Sequence, residues 1–392
     1  MTSDTRSVGT LSPDHSAAQT GDEGETWLVP DSIFDGQKLR RGAALVIRNG
    51  RVDRIAHADD APPDHKVIDG VLSPGFIDLQ VNGGGGVLLN TSPDLAGMMA
   101  IAEAHRGLGT VGILPTVITD APEVLARVVD AAIAAKGQRG ILGLHIEGPH
   151  ISQARRGTHA ARHVRPMEQA TLDHLERLRQ AGLKIMITVA PEAVTPAQVA
   201  RIAAAGVVVS LGHSDTDADT TREYLAAGAR CFTHLFNAMS PMQNRAPGVV
   251  GAAINSDAHA GIIADGIHVA DEMIGLALRA RPVPDRMFLV SDAMPTVGGP
   301  DRFDLYGATL RLEEGRLVNS EGSLAGAHLS QAEGLWRLVN VLGIDPDAAL
   351  RMVVTIPAGL MGLDDLASPV GRDLRDIAQL SADLRFKGWL AD

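Results

Sequence analysis

Four ionisable side chains in this 392-residue chain follow short apolar runs: Glu147 after residues 141–146, His213 after 207–211, His234 after 231–233 and Asp292 after 287–291. Two imidazoles and one carboxylate are the donor set of hydrolytic metal sites, which keep one position open for water. A metal held this way lowers the pKa of that water toward about 7. A separate carboxylate must then accept the water's proton, and Asp292 is the natural candidate. Taken singly, a strand-end His or Asp more often caps a loop. Four together, on separate runs, favour a common site.

Side chains so distant in sequence can meet only if the runs carrying them lie side by side with one polarity. Eight apolar runs, at 77–81, 112–115, 141–146, 184–189, 207–211, 231–234, 260–263 and 287–291, read as strands. Ala- and Leu-rich stretches between them, at 93–107, 121–136, 168–181, 195–205, 216–227 and 271–280, read as helices. The 235–259 connection reads as long and irregular. This alternation predicts the α/β class and a TIM-like (β/α)8 barrel, whose strand C-termini converge on one catalytic face.

Before the barrel, Asn49-Gly50 between apolar runs 43–47 and 52–55 is a hairpin signal. After it, a second β cluster at 308–312 and 316–318 reads as an insertion following the eighth strand. Segments 331–342 and 347–355 look helical, and 377–380 and 384–390 look extended. Neither chain end can bury a core alone. Residues 26–73 and 367–392 are therefore expected to form a small β-sandwich domain beside a catalytic barrel at 74–366. Residues 1–25, rich in Ser, Thr, Asp and Gly, read as a disordered leader.

The formal net charge of −12, without a dense basic stretch, argues against nucleic acid or an anionic membrane as partner. No apolar run approaches the roughly 18 residues of a membrane span. The single cysteine, Cys231, excludes an intrachain disulfide and suits a reducing cytoplasm. Cys231 itself reads as a packed thiol.

The strings His145-Ile146-Glu147-Gly148-Pro149, Gly157-Thr158-His159, Leu211-Gly212-His213-Ser214, Thr233-His234-Leu235-Phe236-Asn237-Ala238-Met239, Asp265-Gly266-Ile267-His268 and Val290-Ser291-Asp292-Ala293 occur in this order. Together they resemble the N-acetylglucosamine-6-phosphate deacetylases of the amidohydrolase superfamily, over roughly residues 27–390. The resemblance implies that Glu147, His213 and His234 are metal ligands and that Asp292 is general base, then acid. It implies that His159 polarises the acetyl carbonyl. Asn237, the backbone of Ala238, Arg245 and His268 would bind the sugar phosphate. Thr158 belongs to the matching Gly-Thr-His string, and Leu324-Ala325-Gly326 matches a loop lining the substrate site. The arginine can come from a neighbouring subunit in that family, which implies a homodimer. Physically, an arginine suits a phosphate, though Arg245 and His268 could equally be a solvated loop residue and a strand-end cap.

Many amidohydrolases end their first strand in His-x-His and hold a second metal there. Here that place reads Gln80-Val81-Asn82, two amides that ligate zinc poorly. The expectation is one divalent ion per subunit, zinc first, with iron, manganese or cobalt also able to occupy the set. Gln80 and Asn82 are left to orient a water or ligand, or to serve as plain loop residues. None of the five lysines ends a predicted barrel strand, which disfavours a carboxylated-lysine bridge. His145 either supports the metal shell or is a satisfied core histidine. Other classes stay open: a barrel hydrolase of another N-acyl sugar or a cyclic amide, or a non-catalytic sugar-phosphate sensor, which would have lost a ligand or base.

Overall fold

The computed structural model describes residues 24–391 except 320, 321 and 323; the expected leader lies outside the described residues apart from Gly24 and Glu25. Eight parallel strands, Phe76–Val81, Thr110–Ile118, Gly143–Glu147, Lys184–Val189, Val208–Leu211, Cys231–Phe232, His259–Ile262 and Met287–Leu289, hydrogen-bond in sequence order. The Asp292 amide donates to the Gln80 carbonyl and the Asn82 amide to that of Ala293, both at 3.0 Å, so the first and last strands meet. This is the TIM-like barrel the alternation predicts.

The strands are rich in Val, Ile and Leu because both faces are covered, by interior side chains and by outer helices. Several helices begin where the sequence supplies caps. Asp94 and Asp217 accept from the Gly97 and Thr220 amides, and Thr195/Gln198 and Ser330/Glu333 form capping boxes.

The expectation for 235–259 needs correction, since Gly248–Ile254 is an α-helix. All seven of its residues are buried, so it shows no polar periodicity to read. Two strands also end two residues earlier than expected, at Phe232 and Leu289. His234 and Asp292, just beyond them, take left-handed backbone with φ of 30° and 50°, which breaks the ladder and turns the side chains.

Strands from both chain ends form one mixed seven-stranded sheet, six along one hydrogen-bonded path and Leu39–Arg41 branching from Thr26–Phe34. Ile377–Leu380 bridges Lys66–Pro74 and Phe386–Trp389, joining the C-terminus to the N-terminal strands. Leu28, Ile33, Leu45, Ile47, Val52, Leu72 and Ile377 form its own core. After the eighth strand comes a three-stranded insertion, Arg302–Leu305, Ala308–Glu313 and Arg316–Leu317. Its Phe303, Leu305, Leu310 and Leu317 pack on Leu88, Ile118 and Met294 of the barrel mouth.

Candidate active site

The barrel mouth holds a cavity of about 530 Å³. Glu147 reaches it from the third strand, while His213, His234 and Asp292 lie just past the fifth, sixth and eighth. The three last-named residues all have positive φ, 49°, 30° and 50°. Such backbone is costly for residues with a Cβ, and it concentrates where function over-determines it.

Glu147 Oε1 lies 3.2 Å from His213 Nε2 and 3.0 Å from His234 Nε2, and the two imidazole nitrogens are 3.1 Å apart. Ligands about 2.0 Å from a tetrahedral ion stand roughly 3.3 Å from one another, so the trio has the spacing of a metal cage. It is the cluster of metal-type donors found among the described residues. His213 Nδ1 lies 2.8 Å from the Arg155 carbonyl, which can only accept, so Nε2 keeps its lone pair for an ion. The residues present therefore fit a divalent metal.

Burial disfavours ionising Glu147, but the His213 and His234 imidazoles against it outweigh that and hold the carboxyl well below the usual carboxylate range. Asp292 behaves oppositely. Burial, then the nearby charge of Glu147, push it up to about 6. Gln80 Nε2 sits between the two carboxylates, 3.0 Å from Glu147 Oε1 and 3.1 Å from Asp292 Oδ1. Asn82 Nδ2 donates to the same Asp292 oxygen at 2.7 Å. His159 lies beside His213 with ring centroids 4.5 Å apart and planes tilted by 50°, and burial lowers its pKa to about 3, so it is neutral.

No protein-family model matches the chain. The chain is 38% identical to an N-acetylgalactosamine-6-phosphate deacetylase of Shewanella over 84% of each sequence. It is 33% identical to human N-acetylglucosamine-6-phosphate deacetylase, over 85% of each. The chain belongs to the N-acetylglucosamine-6-phosphate deacetylase family. The solved N-acetylglucosamine-6-phosphate deacetylase of Pasteurella multocida superposes with a TM-score of 0.86 at 32% identity, covering 93% of this chain and 98% of the other. A Mycobacterium smegmatis mutant deacetylase, solved with N-acetyl-D-glucosamine-6-phosphate, gives 0.83 at 28% identity, covering 94% and 100%.

Within this deacetylase-family fold, the cavity is also lined by Asn82, Thr158, His159, Asn237, Ala238, His268, Leu324 and Gly326. Ala325 is fully buried beneath it and packs under the insertion. His268 is tied to Asp265 at 2.6 Å. Arg245 is not brought to this cavity. It lines a separate cleft with Asp215, Asp217, Arg222, Ser240 and Gln243.

His145 resolves as a satisfied core histidine. Its Nδ1 lies 2.9 Å from the Leu79 carbonyl and its Nε2 2.8 Å from Thr188 Oγ1, which continues to Thr233 and Ser210 through hydroxyls 2.6 and 2.7 Å apart. Cys231 is buried, and burial pushes its thiol up to about 11, as a packed rather than nucleophilic group.

Sequence reading missed three residues. Arg156 lines the cavity and donates to the carbonyls of Gly157 and His159, both at 3.1 Å. Arg155 pairs with Asp215 at 2.6 Å, anchoring the carbonyl that meets His213. The adjacent pair, just before Gly157-Thr158-His159, was a usable signal. Thr119, 2.7 Å from His159 Nδ1, gave none, being a threonine just past an apolar strand.

Proposed function

We propose that the chain hydrolyses N-acetyl-D-glucosamine 6-phosphate to D-glucosamine 6-phosphate and acetate, using one divalent ion per subunit, zinc before iron, manganese or cobalt. The observation carrying this reading is the convergence of Glu147, His213, His234, Asp292 and His159 on one cavity, in a chain related to sugar-phosphate deacetylases. When bound by the trio, the ion supplies Lewis-acid polarisation and acidifies the attacking water.

Asp292 does the proton work. Gln80 and Asn82 occupy its Oδ1, which leaves Oδ2 to take a proton from the water. The same carboxyl returns that proton to the sugar nitrogen as the C–N bond breaks. Gln80 and Asn82 thus orient the base. His159 donates to the acetyl oxygen as negative charge develops there.

Asn237, the Ala238 backbone and His268 bind the sugar phosphate, with Thr158 and the 324–326 turn bordering it. Arg245 serves the phosphate of a neighbouring subunit, in a cytoplasmic homodimer. Its separation from its own cavity supports that reading. No helix among the described residues is long and apolar enough to cross a membrane.

A second reading, the C4 epimer N-acetyl-D-galactosamine 6-phosphate, is favoured by the Shewanella relative. Acetate release from both 6-phosphates and from unphosphorylated N-acetylglucosamine, using chelated and remetallated protein, tests the choice. The expected order of kcat/KM is gluco-6-phosphate, then galacto-6-phosphate, then unphosphorylated sugar. A higher value for the galacto sugar would establish the second reading instead.

A further inference from the structure

We propose that Thr119 is a positioning residue that fixes which nitrogen of His159 carries its proton, and that Tyr306 of the post-barrel insertion steadies Thr119 for that task. The inference rests on the reading of His159 as a donor to the acetyl oxygen.

Thr119 is fully buried, one residue beyond the second barrel strand. Its backbone N–H points at His159 Nδ1 across 3.4 Å. A backbone N–H can only donate, so Nδ1 must be the accepting nitrogen. The Thr119 hydroxyl, 2.7 Å from the same nitrogen, can donate to it as well. A neutral imidazole whose Nδ1 lone pair is used in this way carries its hydrogen on Nε2. That is the nitrogen left for the cavity that His159 lines. The other tautomer would offer a lone pair where negative charge develops.

Thr119 is itself held from two sides. Its carbonyl accepts the Tyr306 hydroxyl at 2.6 Å, which links the insertion to the catalytic histidine. Gly148 faces its side chain, and a Cβ there would stand 2.2 Å from Oγ1. Only glycine at 148 leaves the hydroxyl where it is.

The test compares remetallated wild type with Thr119→Val, Thr119→Ser, His159→Gln and the Thr119→Val/His159→Gln pair. Expected for Thr119→Val is a tenfold or greater fall in kcat with KM and metal content unchanged. Thr119→Ser should recover most of that loss, and the double variant should be no slower than His159→Gln alone. Long-range 1H–15N correlation on the metal-loaded protein should show His159 protonated on Nε2 in wild type and a tautomer mixture in Thr119→Val. Wild-type kcat in Thr119→Val overturns the proposal while leaving the His159 reading intact, and a wild-type ring protonated on Nδ1 overturns both, since Nε2 would then have no hydrogen to donate. Full activity in His159→Gln removes that reading, and the proposal with it.

Discussion

At the residue scale, Asp292 and Glu147 are two buried carboxylates whose surroundings drive them apart. Glu147 takes two imidazole partners, and Asp292 takes two amides and a neighbouring negative charge. Asp292→Asn should keep the fold and bound metal, because the amide can still lie beside Gln80 and Asn82. Its kcat should fall by about 10²–10⁴, the usual worth of a general base. Acetate release beside metal analysis checks this, and near-normal turnover would remove Asp292 as base. Arg245→Ala should raise KM about tenfold or more for a 6-phosphate and leave an unphosphorylated sugar nearly unaffected. Sedimentation of the same variant should show the oligomer intact, since the change removes a fork and not a packed surface.

At the scale of elements, the chain-end sheet shares the barrel's core through Phe34, Val71, Leu380 and Leu384, and a polar and aromatic seam adds to that contact. Trp389 donates to the Arg106 carbonyl at 3.2 Å and lies under that residue's guanidinium at 4.4 Å, with Phe386 against its edge. Asp376 gathers Arg106, Arg139 and Arg372 at 3.4, 2.6 and 3.7 Å. Gly75 makes the seam possible, since a Cβ there would strike Trp389 and Val111 below 3.0 Å. Trp389→Ala should cost on the order of 3 kcal/mol of stability. It should leave kcat/KM unchanged, because this seam lies away from the residues of the mouth. Thermal melts beside steady-state kinetics separate the two effects. The pairing of the chain ends was legible from composition, because neither half could form a core alone. The helix at Gly248–Ile254 was not legible, because complete burial erases the polar face that marks a helix.

At the scale of the molecule, stability depends on groups buried neutral. Burial lowers His105 and His150 to about 4 from the usual 6.5. The unfolded chain therefore takes up protons first as pH falls. The contribution of these two histidines should be complete above about 6.5 and decline progressively toward pH 4, by a few kcal/mol each, and outweigh the opposite contribution of Asp78, which burial pushes up to about 6. Melting temperature across that window checks the sign, and a rise on acidification would contradict it. Metal contributes separately. Three donors crowded within 3.2 Å gain from an ion that binds only the folded state, so chelation should lower Tm by several degrees and a divalent ion should restore it.

What the amino-acid sequence determined by itself was the order of apolar runs and the polar residue ending each one. Periodicity and barrel geometry were enough to bring Glu147, His213, His234 and Asp292 to one mouth. It could also say that Gln80 and Asn82 are poor ligands, since that is a property of amides. Only the tertiary structure decided what these amides touch, because Asp292 lies more than 200 residues from them and meets them across the closing strands. The same holds for Thr119 beneath His159 and for Arg245 in a cleft of its own. Sequence reports which groups an element carries; which nitrogen faces a cavity depends on neighbours that only folding supplies.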